Sequence, residues 1–460
     1  MSEIDTTKFA FDFKGDIITP GHPAYTTAIS RRAQNAARKA KVVAFVKDNQ
    51  DVVHALKFAQ ENKLPIAVRG GGHNAAGASS IEGGFVIYLS RYLNGARVDT
   101  SKKLAYVGGG AVWEAVDKAA IKHGLATVGG TVNHTGVGGL VLGGGYGWLT
   151  ASYGLATDNL IQVTIVTADG SILTVNETEN PDLYFAVRGG GGNFGVVTEF
   201  VLRLHPQRPT VYSGIVVYPA KAAEKLHEAS EKWWKQAADD ESMLKIVTVD
   251  PDGKAIIAVL PFYNGIEAEG RERFKGIIEA GLVKDMSKEI PYEELNSLQN
   301  PLAKHGSGVY MKGVALRRVH LPSFVKAHKR LAEIISGGVF RGAITYEFFG
   351  LKKVNAVPID ATAFRREMAG NVLINILWDV SQDRTEEARK LTHELCAIVL
   401  EGQQGISESE SLGYSNYDHD TAISDKAKLV FGANYPRLQG IKKRYDPDNV
   451  FDRWFPITPA

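Results

Sequence analysis

Arg69-Gly70-Gly71-Gly72-His73-Asn74 follows directly on Leu64-Pro65-Ile66-Ala67-Val68, an apolar run with strand character. Three consecutive glycines let the backbone turn sharply and approach a ligand closely, because no Cβ stands in the way. Successive free N–H groups in such a loop form a concave nest for anionic oxygens. A histidine at the end of that nest is a candidate nucleophile beside a phosphate-bearing cofactor. Taken locally, the same residues also describe a tight turn with an ordinary histidine, and the rest of the chain has to decide.

The chain of 460 residues is 44% hydrophobic and 23% charged, as in an ordinary globular enzyme. A net charge of +2 offers no reason to expect nucleic acid or an acidic membrane as partner. Glycine is over-used: 48 residues, against a typical share of about 7%. The excess lies between Gly70 and Gly195. The one cysteine, Cys396, sits in a helical pattern and reads as a buried core thiol, so a disulfide within the chain and a cysteine-based zinc site are excluded. The first residues lack the apolar core of a secretory signal, and no window approaches the 18 or so apolar residues of a membrane span. A cytoplasmic or otherwise intracellular protein is the expectation.

Around the first glycine loop the elements are legible. Val42–Val46 reads as a strand, 52–62 as a helix with apolar positions 52, 53, 56 and 59 on one face, and 64–68 as a second strand. The glycines thus follow the second strand of a β-α-β unit. Strands are expected at 85–89 and 104–107, a helix at 111–123, and a hairpin of 160–167 with 172–175. Asn180-Pro181 has the cap and first-turn proline of a short helix. A glycine loop at 188–195 and a strand at 196–204 follow. After His205-Pro206 glycine thins out. Amphipathic helices are expected at 220–238, 266–280 and 384–401, with strands at 245–249, 255–260, 343–349 and 372–378 between them. A domain boundary is expected near 206–212.

Gly190-Gly191-Gly192-Asn193-Phe194-Gly195 fits G-x-G-x-x-G on paper. The dinucleotide fingerprint needs a strand before it and a helix after it. Here the order is reversed, which rejects a Rossmann site. No P-loop, H-E-x-x-H or G-x-S-x-G motif occurs, and the 12 histidines are scattered without metal spacing, so no metal site is assigned. Three separated glycine loops, at 70–72, 129–147 and 189–195, remain, and could converge on one long polar cofactor.

In combination these stretches resemble the berberine-bridge-enzyme-like branch of the vanillyl-alcohol-oxidase superfamily of FAD enzymes. Arg69–Asn74 looks like that family's R-x-G-G-H-[DNS] loop. Gly136-Val137-Gly138-Gly139 and Gly143-Gly144-Gly145-Tyr146-Gly147 look like its second FAD loop. Tyr153–Asn159, Asp182–Gly189 with Gly192–Thr198, Tyr414–Asp418 and Arg444–Phe451 resemble four further blocks, in family order. The resemblance implies an α+β fold. A PCMH-type FAD-binding domain would be split in sequence, with 1–206 closed by 410–460. The substrate domain, 207–409, would be an antiparallel sheet backed by helices. FAD contacts are implied for Arg69, Gly70, Gly71, Gly72, His73, Asn74, Gly130, Thr131, Gly136, Gly138, Gly139, Gly144, Tyr146, Tyr153, Gly195, Val197 and Asn416. His73 would carry a covalent bond from a ring nitrogen to the flavin 8α-methyl carbon. Many members add a cysteine linkage. That position is Val132 here, so the resemblance implies a single tether, as in 6-hydroxynicotine-oxidase-like members. The position taken as the oxygen gatekeeper falls on Thr135.

The implied reaction is a two-electron oxidation of a small alcohol, amine or secondary metabolite, with oxygen as acceptor and hydrogen peroxide as product. A dehydrogenase with another acceptor and a redox-neutral cyclase on the same scaffold stay open. Tyr417 is the first candidate base and Tyr414 the second, although a tyrosine needs a neighbouring charge or hydrogen bond to act at neutral pH. Asn416 would hold the flavin or order the loop. Thr345 and Glu347 share one face of an aromatic strand, as do Asn371 and Asn375 of another. Glu347 and Asn375 are therefore candidate substrate-side groups, with a solvated edge as the alternative reading. His134 either approaches the flavin ring or stabilises its turn.

Overall fold

The computed structural model describes residues 4–366, 369–420 and 424–460. Its first sheet has four strands in the order Asp16–Ile18, Val42–Phe45, Phe85–Tyr88 and Ile66–Arg69. Val42–Phe45 and Ile66–Arg69 are the expected flanks of the helix Asn49–Glu61, but they do not touch. Phe85–Tyr88 lies between them, parallel to both. Asp48 caps the helix by accepting the N–H of Asp51 at 3.0 Å. The helix face of Val52, Ala55, Leu56 and Ala59 is buried in the core that it shares with this sheet.

A second sheet of five antiparallel strands has the order Ala96–Asp99, Leu104–Gly108, Val196–Arg203, Leu160–Val166 and Ile172–Asn176. The expected hairpin is its edge. Asn180 departs from expectation: it takes φ 53° and its side chain donates to Thr174 O at 2.8 Å instead of capping the helix Pro181–Val187. A helix precedes the glycine stretch 188–195 and a strand follows it, as the rejection of a Rossmann site requires.

The third sheet is antiparallel throughout, and all nine of its strands lie between Thr210 and Trp378. From its middle to one edge run Glu241–Val249, Phe340–Phe349, Gly370–Trp378 and Gly308–Leu316. The helices Ala223–Trp234, Leu321–Ser336 and Thr385–Leu400 cover one face. Leu321–Ser336 adds to the expected set; Pro322 in its first turn and apolar residues at 324, 327, 331 and 334 are an ordinary helix signature. The expected helix at 266–280 is broken into Glu267–Arg273 and Lys275–Ile278. Cys396 is buried under this layer, and burial pushes its thiol up to about 12. Strand alternation sends Ile344, Tyr346 and Phe348 towards the helices and Ala343, Thr345 and Glu347 to the opposite face. No described helix is long and apolar enough to cross a membrane.

The last segment is held by a buried ion pair. Lys442 Nζ donates to Asp446 Oδ2 at 2.6 Å, to Asn193 O at 2.7 Å and to Phe451 O at 2.7 Å. Asp446 in turn accepts the N–H groups of Val450 and Phe451. The Arg444–Phe451 motif is therefore a clamp between the C-terminal turn and the third glycine loop. Removing one partner leaves a buried charge unpaired, at a cost of about 3–5 kcal/mol. Lys442→Met should lower the denaturation midpoint accordingly in an equilibrium unfolding measurement, and adding Asp446→Leu should not restore it, because the Val450 and Phe451 N–H groups then lose their acceptor.

Candidate FAD and substrate site

The three glycine loops do converge. They wall one cavity of about 1980 Å³, its open mouth included, and the bare face of the large sheet closes the other side. The first loop contributes Gly70 to Asn74 and the second Gly130, Thr131, Val132, Thr135, Gly136, Gly138, Gly139 and Tyr146. The third supplies Gly191, Gly192, Gly195 and Val197, beside Arg453 and Trp454 of the C-terminal turn. Met311, Ala343, Thr345, Glu347, Leu373 and Asn375 line the sheet side.

The loops meet backbone to backbone. A Cβ on Gly71 would stand 2.6 Å from Gly136 Cα, and one on Gly136 would stand 2.6 Å from Gly71 N. Among the described residues, the N–H groups of Gly71, Gly72, His73 and Asn74 find no acceptor in the protein. Four adjacent unpaired donors make an anion nest. Tyr146 Oη and His73 Nε2 are also buried without a partner. These free donors and the glycine cradle fit FAD, whose pyrophosphate needs N–H groups.

Three residues expected at the cofactor lie elsewhere. Arg69 turns its guanidinium away from the cavity, donating to Ala28 O at 2.8 Å and lying 4.1 Å from the Tyr88 ring. Gly144, at φ 108°, packs against the Phe364 ring instead. Tyr153 stacks on His205 with ring centroids 3.7 Å apart. Its segment is a structural knot, in which Asp158 takes a bidentate pair from Arg366 at 2.6 and 3.1 Å.

On the sheet side, register builds a small polar centre. Glu347 pairs with Asn371 and Thr345 with Leu373 across neighbouring strands. Asn371 Nδ2 donates to Glu347 Oε2 at 2.6 Å, and Tyr417 Oη donates to Glu347 Oε1 at 2.8 Å. Burial raises the Glu347 carboxyl to about 7 against the pull of these two hydrogen bonds. Of the two asparagines expected to share a face, Asn371 serves this centre and the Tyr414 N–H, while Asn375 faces the cavity. Gly313 has no side chain, so the C-terminal loop can lie on the sheet: a Cβ there would come within 3.3 Å of Tyr414 N and Tyr417 Cβ.

The two tyrosines named as candidate bases are both held in hydrogen bonds at this centre. Burial and the neighbouring Glu347 hold the Tyr417 hydroxyl well above its ordinary range, the wrong direction for a free tyrosinate base. Tyr414 is likewise raised by burial, and its oxygen already accepts the Gly145 N–H at 2.9 Å and Asn416 Nδ2 at 2.6 Å. Tyr414 ties the second glycine loop to the sheet, and Asn416 orders that junction while lining the cavity.

Arg32 is a wall residue that sequence reading missed. It is buried, bonds His73 O at 3.4 Å and Met311 Sδ at 3.2 Å, and pairs with no carboxylate among the described residues. Burial lowers its guanidinium to about 10. Met311, Leu373 and Gln299 also escaped notice. No local pattern marks them, since strand register and a distant loop bring them in.

Geometry of this kind defines a flavin-dependent oxidoreductase, and the comparisons agree. The profile described as FAD binding domain matches residues 40–176, and that described as berberine and berberine like matches residues 413–454. The FAD-linked oxidoreductase pgmH of Aspergillus terreus is 31% identical over 100% of this chain and 97% of its own length. The (R)-6-hydroxynicotine oxidase of Paenarthrobacter nicotinovorans is 29% identical, over 97% of each chain. Among solved structures, 6-hydroxy-D-nicotine oxidase from Arthrobacter nicotinovorans superposes with a TM-score of 0.87 at 26% identity, covering 98% of this chain and 99% of that one. A glucooligosaccharide oxidase from Acremonium strictum shares the fold, with a TM-score of 0.84 at 22% identity over 98% of each chain. The chain belongs to the berberine-bridge-enzyme-like family of FAD-linked oxidoreductases.

The Gly71–Gly136 contact makes a test of the cradle. Overpacking of this kind costs about 1–3 kcal/mol. Gly71→Ala should lower the flavin-to-protein absorbance ratio of the purified protein, whereas Gly95→Ala, where a Cβ meets nothing within 4 Å, should leave it unchanged.

Proposed function

We propose that the protein is an oxidase of a small alcohol, amine or secondary metabolite, with FAD tethered through His73 alone and oxygen as electron acceptor. The observation that carries this reading is the buried Glu347–Tyr417 pair on the wall facing the glycine loops. FAD, when bound, supplies a two-electron acceptor for hydride from the substrate carbon and hands the electrons to oxygen, giving hydrogen peroxide. The backbone of residues 70–74 would hold its pyrophosphate, and the second and third loops its ring and ribityl chain. Val132 at the wall offers no thiol for a second linkage, which supports the single tether. In this reading residues 1–206 with 410–460 bind FAD, and 207–409 bind substrate.

Glu347, in its carboxylate form, takes the proton from a substrate O–H or N–H. Tyr417 donates its hydroxyl hydrogen to Oε1, so it orients the carboxylate and can relay a proton to it. Asn371 holds the other oxygen. Asn375 and Thr345 on the same face offer hydrogen bonds to the substrate. Leu373 and Met311 fill the wall between them and exclude water.

A proton acceptor on this pattern sets the pH dependence. The carboxylate fraction rises as pH passes about 7, so turnover should rise with pH through that range and level off above it. Glu347→Gln should lower kcat by about 10²–10⁴-fold and remove that limb from the rate profile, while the flavin content stays intact. Tethering is read separately. Acid-precipitated wild-type protein should stay yellow, and His73→Ala should release all of its flavin to the supernatant. Peroxide formed in step with substrate loss in air is the expected acceptor result; flavin that reoxidises only with an artificial acceptor would mark a dehydrogenase.

A further inference from the structure

Behind the cavity edge of His73, three imidazoles follow one another. The His73 and His134 ring centroids lie 5.3 Å apart, tilted by 36°. Those of His134 and His305 lie 5.2 Å apart, tilted by 55°. His134 comes from the second glycine loop, and His305 from the stretch leading into the strand Gly308–Leu316. His73 and His134 are half-buried, each with one enclosed nitrogen, and His305 at the far end is exposed. The row therefore runs from the cavity to solvent.

Two of the rings keep a nitrogen unused. His73 Nε2 and His134 Nδ1 are buried and have no hydrogen-bond partner among the described residues. Histidines that only shape a turn normally satisfy their buried nitrogens. No carboxylate forms an ion pair with any of the three among the described residues. Burial first, and then nearby positive charge that includes Arg32, pushes all three below the ordinary histidine range. Each ring is thus held neutral, with one nitrogen that accepts a proton and one that releases it. The rings are next neighbours with no hydrogen bond joining them, so a proton passes when a ring turns its free nitrogen to the next or a water joins the pair.

We propose that His134 accepts the proton that His73 loses when the flavin is attached, and that His305 passes it to solvent. The inference rests on the His73 tether of the proposed function. In that step one ring nitrogen of His73 bonds to the flavin 8α carbon through its lone pair. The carbon gives up one hydrogen as a proton, and the other nitrogen of His73 gives up its N–H proton to His134. The two electrons stay on the flavin, and oxygen takes them with two protons to form hydrogen peroxide. Without an acceptor the His73 ring would have to hold a positive charge beside Arg32, in a site that disfavours it.

The test follows covalent attachment and not turnover. Full-length protein produced in a flavin-starved host is incubated with FAD in air, and the covalent fraction is read by intact mass and by colour in the acid precipitate. His134→Ala should bind FAD that acid releases, and should form the bond about 10²-fold more slowly than wild type. Added imidazole should restore much of the rate, since it can enter the space left and take the proton. His134→Gln, which keeps the loop polar but cannot take up a proton, should be equally slow, and serves if the alanine variant folds poorly. His305→Ala should slow attachment less than either. Wild-type rates in a His134 variant would overturn the proposal, as would slowed attachment that imidazole leaves unchanged. Covalent flavin persisting in His73→Ala would instead refute the tether itself.

Discussion

The constraint on which the site depends is the contact of Gly71 with Gly136. Two loops from different parts of the chain touch through bare backbone, with no room for a methyl group between them. This contact turns two short glycine stretches into one continuous wall. It also leaves the N–H groups of residues 71–74 pointing at nothing in the protein. Free backbone donors gathered in one loop seek acceptors, and an anionic group in the cavity would supply them. The third glycine loop joins the same wall because the Lys442–Asp446 clamp brings Asn193 and the C-terminal turn together.

Opposite this wall, chemistry depends on strand register. Alternation on Phe340–Phe349 puts Thr345 and Glu347 on the cavity face, and pairing with Gly370–Trp378 sets Asn371 beside Glu347. A slip of one residue would bury the carboxylate under the helices and present Tyr346 instead. The C-terminal loop then completes the centre by laying Tyr417 on the carboxylate, across the space that Gly313 leaves open. A carboxyl placed this way gains its tuned affinity for protons from burial, and its orientation from two fixed hydrogen bonds.

Much of this was legible in the chain. The glycine loops could be read because the need for glycine is local: a sharp turn or a close approach shows in the residue type. The polar faces 345/347 and 371/375 could be read because strand alternation has a period of two. The motif residues Arg69, Gly144 and Tyr153 misled in part, since a family block holds residues that shape a loop as well as those that meet a ligand. Arg69 anchors the loop from behind and Tyr153 packs on His205. What would stand beside Tyr417 could not be read from the chain. A carboxylate neighbour holds a phenol protonated, and only the folded chain sets Glu347 next to it.

By itself the sequence determined the order of elements, the glycine cradle, the absence of a thiol at position 132 and the membership of an FAD-linked family. These follow from local backbone needs and residue identity. The tertiary structure alone decided which groups share the cavity. Arg32, Met311 and Gln299 reach it from segments with no mark of their own, and the row of His73, His134 and His305 joins residues far apart in the chain. Proton affinity was decided there too, because burial and neighbours set it, and both exist only once the glycine loops, the sheet and the C-terminal turn have closed around one space.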